Sequence, residues 1–271
     1  MKIGTPSDTV IAQNRRAWNE VAPRHAEQNF EDTRRHLAAD PGHYIDPVFR
    51  DHLRSLGLEG KVLAQFNCNN GRELLSAIQL GARSGLGFDF SSEFVRQARR
   101  LTAAAQVEAE FVETDIYQVP SRYDATADLL FLTAGALCWM PDLPGYFDAA
   151  RRVVRPGGQV VLYETHPFLE MFKPDRDRRR DEPLDLHYPY FMDEPVAWDS
   201  GLDYYSGEKY GREQVYWYHY TLSDIFQAVI GAGLQIRHFA EFDHDNSIGY
   251  REAERFPVRP PMSFILSCER P

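Results

Sequence analysis

Cysteine is scarce in this chain. Cys68, Cys138 and Cys268 are odd in number and widely spaced, which argues against a disulfide framework and against a cysteine metal cluster. Three reduced, mostly buried thiols are expected instead. Long apolar runs are missing as well: no stretch approaches the roughly 18 apolar residues that cross a bilayer, so no membrane is expected as a partner. The opening segment "MKIGTPSDTVIAQNRRAW" lacks the apolar core of a secretory signal, about 7 to 15 residues long, and a cytoplasmic location is expected. Nor is there an excess of positive charge. With 30 Lys and Arg against 40 Asp and Glu the formal charge is -10, and such a surface repels a phosphate backbone on average. The most basic segment, "KPDRDRRRDEP" at 173–183, interleaves acids with its bases and reads as a solvated loop, so nucleic acid is not expected as a partner. The nine histidines show no H-x-x-x-H or H-x-D spacing, and no metal site is expected.

What is present is an alternation. Polar helical patterns fill the first 56 residues, with a break expected near Pro23 and a short amphipathic helix, "VFRDHLRSLG", closed by Gly57. From there strand and helix patterns take turns: "KVLAQF", "GRELLSAIQLGA", "SGLGFDF", "SSEFVRQARRLTAAAQ", "AEFVETD", "ATADLLFLT", "PDLPGYFDAARRVV", "GQVVLYE". Such alternation builds crossover units and a parallel sheet covered on both faces, an α/β doubly wound architecture. The alternation lapses over 167–215, rich in Pro, Asp, Tyr and Trp, and resumes with "TLSDIFQAVIGAGL", "QIRHFAEF" and "MSFILSCER". The expected organisation is an N-terminal helical flap over 1–56, a binding core over 57–166, an inserted lid over 167–215, and a C-terminal completion of the sheet over 216–271.

The loop after the first strand, "FNCNNG", holds three Asn and one Gly, the residue types that tolerate positive φ. In an open parallel sheet the ligand crevice lies beyond the strands' carboxyl ends where strand order reverses. Free amides at a helix start suit an anionic group there. The next two strand tips carry Asp89 and the pair Asp115 and Ile116. A carboxylate at the second tip is placed to accept hydrogen bonds from two ribose hydroxyls. A carboxylate and an apolar side chain at the third suit an adenine, one taking its exocyclic amine and the other covering the ring.

The series "LAQFNCNNG", "GFDFS", "ETDIY", "DLLFLTAGALCWMPDL" and "RRVVRPGGQVVLYE", over about residues 60–165, resembles the ordered motifs of the class I S-adenosylmethionine-dependent methyltransferases. The resemblance implies a Rossmann-like, mostly parallel sheet of seven strands whose last strand, "MSFILSC", is antiparallel. It implies S-adenosyl-L-methionine as cofactor and methyl transfer as activity. Asn67, Asn69 and Gly71 stand where the family has the glycines of its first loop. Asp89 matches the ribose ligand, with Phe90 beside the adenosine. Asp115 and Ile116 match the adenine-site pair, and Thr133 the residue after strand four that faces the cofactor. Similar enzymes use their N-terminal helix as a flap, so Arg15 and Trp18 are expected to close over the cofactor, although a helix-surface salt bridge is an equal reading of Arg15. Two departures stand out: Gln65 replaces an acidic residue that helps orient the methionine amino group, and two of the loop glycines are Asn.

A base is needed only where the acceptor must lose a proton near neutral pH, work that suits imidazole. His166 after strand five, His219 in "YWYHY" and His244 past strand six are the candidates by position. The aromatic stretch Tyr204, Tyr205, Tyr216, Trp217, Tyr218 and Tyr220 suits a flat or apolar small-molecule acceptor, and packs a lid equally well. The expected assembly is a monomer or homodimer. The rival reading is a non-catalytic binding or partner protein of the same fold. A nicotinamide-dependent dehydrogenase is disfavoured because "NCNNGR" is no G-x-G-x-x-G.

Overall fold

The computed structural model describes residues 8–178, 184–198, 201–203, 205, 214–247 and 249–271. Tyr204 and parts of the expected lid lie outside these residues. Strands β1 (Val62–Phe66), β2 (Ser84–Asp89), β3 (Ala109–Glu113), β4 (Ala127–Thr133) and β5 (Val154–Thr165) are followed by a two-stranded ribbon of β6 (Val196–Trp198) and β7 (Val215–Trp217), then β8 (Gln235–Phe242) and β9 (Ser263–Glu269). The main sheet has seven strands in the order β3-β2-β1-β4-β5-β9-β8. The first five run parallel, and β9 is antiparallel to both β5 and β8. Strand order therefore reverses between β1 and β4, which puts a crevice at their carboxyl ends.

Residues of successive parity serve opposite faces, as a pleated strand requires. Along β4, Leu130 and Leu132 join Phe66, Phe88, Leu162 and Phe264 on one side, where α5 (Leu143–Val153) and α6 (Leu222–Gly231) pack. Leu129 and Phe131 join Leu63, Val161 and Ile265 on the other, beneath α2 (Pro47–Ser55), α3 (Arg72–Ile78) and α4 (Ser92–Ala105). Side chains cap the helix starts: Ser91 Oγ accepts the Phe94 amide, and Thr221 forms a reciprocal capping box with Asp224.

Two local expectations change. Helix α1 (Asp8–Ala39) continues through Pro23 rather than breaking there. An interior proline removes one helical hydrogen bond, but its neighbours Val21, Ala22 and His25 are buried, so packing offsets the loss. Strand β5 begins at Val154, inside the expected helix "PDLPGYFDAARRVV", and takes in "RPGG" as a bulge: Val154 pairs with Ala127 and Gln159 with Leu129.

Candidate active site

A cavity of about 590 Å3 opens at the carboxyl ends of β1, β2 and β4. Asn67, Cys68, Asn69 and Asn70 of the loop after β1 line it. Asn67 and Asn69 adopt φ of 52° and 51°, and Gly71 follows at 74°. Asparagine pays little for the left-handed region, so the loop turns tightly with side chains where glycines would serve. Those side chains are used: Asn67 Oδ1 accepts from the Tyr146 hydroxyl at 2.7 Å, and Asn69 Oδ1 accepts the Asn70 amide at 2.7 Å. Gly71 is irreplaceable on two counts, its φ and a built Cβ that would meet Phe111 at 2.5 Å.

Asp89 at the tip of β2 lines the cavity and is 7% exposed. Its two oxygens accept the Asn69 amide at 2.8 Å and the Ser91 amide at 2.9 Å, leaving further lone pairs free. Burial pushes its carboxyl up to about 6, against the pull of backbone amides. Asn19 of α1 braces the same corner, its Oδ1 accepting from Ser91 Oγ at 2.7 Å.

Gln65 leaves no carboxylate on β1, but one arrives from the chain eight residues on. Glu73 Oε2 accepts from Gln65 Nε2 at 2.9 Å and from Thr133 Oγ1 at 2.6 Å. Both Glu73 and Thr133 line the cavity. Gln65 Oε1 is buried without a hydrogen-bond partner in the described structure. Beside this cluster the loop after β4 is held by Glu164 of β5, whose carboxylate accepts the amides of Gly135 at 2.6 Å, Ala136 at 3.1 Å and Leu137 at 3.2 Å. Burial raises the Glu164 carboxyl to about 7, opposed by the backbone donors.

Phe90 borders both the main cavity and a smaller cleft that also holds Asp115 and Ile116. Asp115 additionally caps a 3-10 turn through the Tyr117 amide at 3.0 Å. Ile11 and Asn14 of α1 close this cleft, so a purine enters it only if those side chains shift. Trp18 lines the main cavity. Arg15 is exposed and borders neither space; its neighbour Asn14 is the residue turned inward, bonded to the backbone of Tyr216 in both directions at 3.0 Å.

None of the three candidate histidines borders the cavity. His166 turns into the protein, with Nε2 3.0 Å from Glu241 of β8 and Nδ1 accepting the Phe168 amide, so its polar atoms brace the turn after β5. His244 Nε2 meets the Tyr163 hydroxyl at 2.7 Å. His219 stands one residue removed: its Nδ1 lies 2.9 Å from Glu170, and Glu170 lines the cavity. Neither Glu170 nor Tyr250 carries a periodic signal in the sequence, because Glu170 sits in a single 3-10 turn and Tyr250 in irregular chain. All four tryptophans of the chain, Trp18, Trp139, Trp198 and Trp217, border this one cavity.

Comparison with known proteins agrees with this geometry. Residues 64–158 match the family model described as "Methyltransferase domain". The lovastatin nonaketide synthase mokA of Monascus pilosus is 34% identical over 96 residues, which is 34% of this chain and 3% of that protein; the chain thus spans a small fraction of that curated relative. Among solved structures, an S-adenosylmethionine dependent methyltransferase from Mesorhizobium loti superposes with a TM-score of 0.55 at 22% identity, over 81% of this chain and 96% of that one. Geranyl diphosphate C-methyltransferase from Streptomyces coelicolor A3(2), solved with Mg2+, geranyl diphosphate and S-adenosyl-L-homocysteine, gives 0.54 at 12% or less, here 11%, over 84% and 80%. No described helix is long and apolar enough to cross a membrane.

Proposed function

We propose that this chain, whose residues 64–158 match a methyltransferase-domain model, transfers a methyl group from S-adenosyl-L-methionine to a small-molecule acceptor. The observation that carries this reading is the convergence of Asp89, Glu73 and the left-handed Asn67–Asn69 loop on one cavity. The residues fit the cofactor. Asp89 keeps lone pairs for two ribose hydroxyls, Asp115 and Ile116 take the adenine once Ile11 and Asn14 of α1 move aside, and Gly71 lets the loop lie close against Ala98 of α4. Glu73 supplies the carboxylate that Gln65 withholds, and it takes the methionine ammonium together with Thr133. Arg15 is left outside this set, while Trp18 closes the cavity from α1.

The cofactor brings a methyl group on a sulfonium, whose carbon–sulfur electron pair stays on sulfur as the methyl leaves. The chain's task is to align an acceptor and keep water out. Aromatic walls do the second. Glu170 is the cavity carboxylate placed to take a proton, with His219 behind it. That arrangement supports an enzyme rather than a non-catalytic partner: the two features that favour the latter are the altered first loop and Gln65, and here Asn67 and Asn69 make the turn while Glu73 supplies a carboxylate beside Gln65. The acidic surface and enclosed aromatic cavity favour a small molecule over a nucleic acid.

Calorimetric titration with S-adenosyl-L-homocysteine, beside Asp89→Asn, tests this. Micromolar binding by the wild type that weakens at least about tenfold in the variant, the loss of one charge-assisted bond, is the expected result. No binding by either protein would overturn the reading.

A further inference from the structure

Two ends of the cavity differ in chemistry. Asn67, Asn69, Asp89 and Glu73 gather at the strand tips, whereas Glu170, Tyr188, Trp217 and Tyr250 gather under the chain that follows β5. The rings of Tyr188 and Trp217 meet edge to face, 5.4 Å apart at 89°. The Tyr188 amide donates to Met171 O at 2.9 Å, which sets that ring beside the turn bearing Glu170. Tyr250 completes the group: burial above all, then the charge of Glu170, raises its phenol well above the usual range.

We propose that this end is an acceptor subsite for a protonated amine, held with its nitrogen at Glu170 and its substituents against Tyr188, Trp217 and Tyr250. Aromatic faces attract a cation and do so more strongly when water is excluded. The carboxylate adds a charge-assisted hydrogen bond. An acceptor bearing a carboxylate or phosphate would meet Glu170 with like charge, at a cost that low local dielectric enlarges. Among the described residues bordering the cavity, Glu73, Asp89 and Glu170 are acidic and Arg72 is the single Lys or Arg; Arg72 is turned to the Tyr205 hydroxyl at 2.8 Å.

The same carboxylate does the proton work. An ammonium has no lone pair, so its N–H bond must break before the nitrogen can act as a nucleophile, the electron pair staying on nitrogen and the proton passing to a Glu170 oxygen. Burial raises the Glu170 carboxyl, against the hydrogen bond from His219, in the direction that suits a proton acceptor near neutrality. His219 orients it from behind, 2.9 Å away.

The inference rests on the methyltransferase reading for its biological sense but not for its test. The probes are 2-phenylethylamine, 2-phenylethanol and phenylacetate, which share a ring and differ in the head group, titrated calorimetrically into the full chain with and without S-adenosyl-L-homocysteine. Expected is an amine bound at least about tenfold tighter than the alcohol, with phenylacetate weakest. Glu170→Gln should erase the preference while S-adenosyl-L-homocysteine binding persists, which also certifies the variant's fold. Tyr188→Leu should weaken the amine more than the alcohol. An alcohol or carboxylate that binds as well as the amine, an amine that does not bind, or a preference that survives Glu170→Gln overturns the proposal. Intact S-adenosyl-L-homocysteine binding in those cases leaves the methyltransferase reading standing; an amine preference without it leaves the amine site and removes the methyltransferase reading.

Discussion

Thr133 Oγ1 donates to Glu73 Oε2 across 2.6 Å, tying the tip of β4 to the first turn of α3. The same oxygen accepts from Gln65 Nε2 at 2.9 Å, so residues from β1, α3 and β4 together present one carboxylate to the cavity. β1 itself carries no carboxylate, and the negative charge beside its tip is delivered by a helix.

Glu73→Gln keeps this shape and removes the charge. S-adenosyl-L-homocysteine affinity is expected to fall about 10- to 100-fold, the worth of a hydrogen bond between charged groups at about 1.5–3 kcal/mol. Adding Gln65→Glu returns a carboxylate to the tip of β1 and should recover most of the loss. Calorimetry on the single and double variants decides it; a double variant no better than the single would mean that the charge must come from α3.

The Asn67–Asn69 turn predicts a difference between two small substitutions. Asn69→Ala forces a β-carbon residue without a compensating polar group into φ near 51° and drops the bond to the Asn70 amide. A loss of about 1–2 kcal/mol is expected from the left-handed conformation. Asn69→Gly keeps the backbone at ease and should stay within about 0.5 kcal/mol of wild type, since glycine reaches this region freely. Urea denaturation of the two variants checks the order, and equal losses would contradict it.

Much of this was legible in the sequence because it depends on local pattern. Alternating strands and helices fix the sheet, and Asp89, Thr133 and the Asn loop fall at strand ends, so their arrival at one crevice follows from topology. Phe90 borders the same crevice, but Asp115 and Ile116 fall in a smaller neighbouring cleft that Ile11 and Asn14 of α1 close, an arrangement that strand order alone does not reveal. What escaped was long-range side-chain direction. Glu73 stands beside Gln65 because the first turn of α3 returns to the tip of β1, and His166 is drawn away by Glu241, 75 residues later. Glu170 has no periodic neighbours to announce it. Pro23 was misleading because buried neighbours outweigh one missing hydrogen bond.

Glu164 offers a test of the loop after β4. Its carboxylate accepts three successive amides there and the Thr165 amide at 2.9 Å. In Glu164→Gln one acceptor oxygen becomes an NH2 that faces a backbone donor. A loss of about 2–3 kcal/mol is expected for leaving buried amides unsatisfied, read as a lower urea midpoint. Because Thr133 and Gly135 border the cavity, S-adenosyl-L-homocysteine affinity should fall with it. A variant with wild-type stability would show that water replaces the carboxylate without cost.

Opposite pH dependences are expected for folding and for cofactor binding. Burial raises Asp89 from its ordinary 3.8 to about 6 and Glu164 from 4.5 to about 7. At both positions the folded chain then holds more protons than the unfolded chain across that window, so their stabilising contribution is complete below about pH 4 and is lost as pH rises through 6 and 7, on the order of 3 kcal/mol each. Asp89→Asn should therefore flatten the stability profile between about pH 4 and 6. Binding runs the other way. Ribose hydroxyls donate to ionised Asp89, so S-adenosyl-L-homocysteine affinity should fall about tenfold per pH unit below about 6 and level off above about 7. Denaturation and calorimetry across the same buffers give both curves, and an affinity unchanged between pH 5 and 7 would remove Asp89 from the ribose.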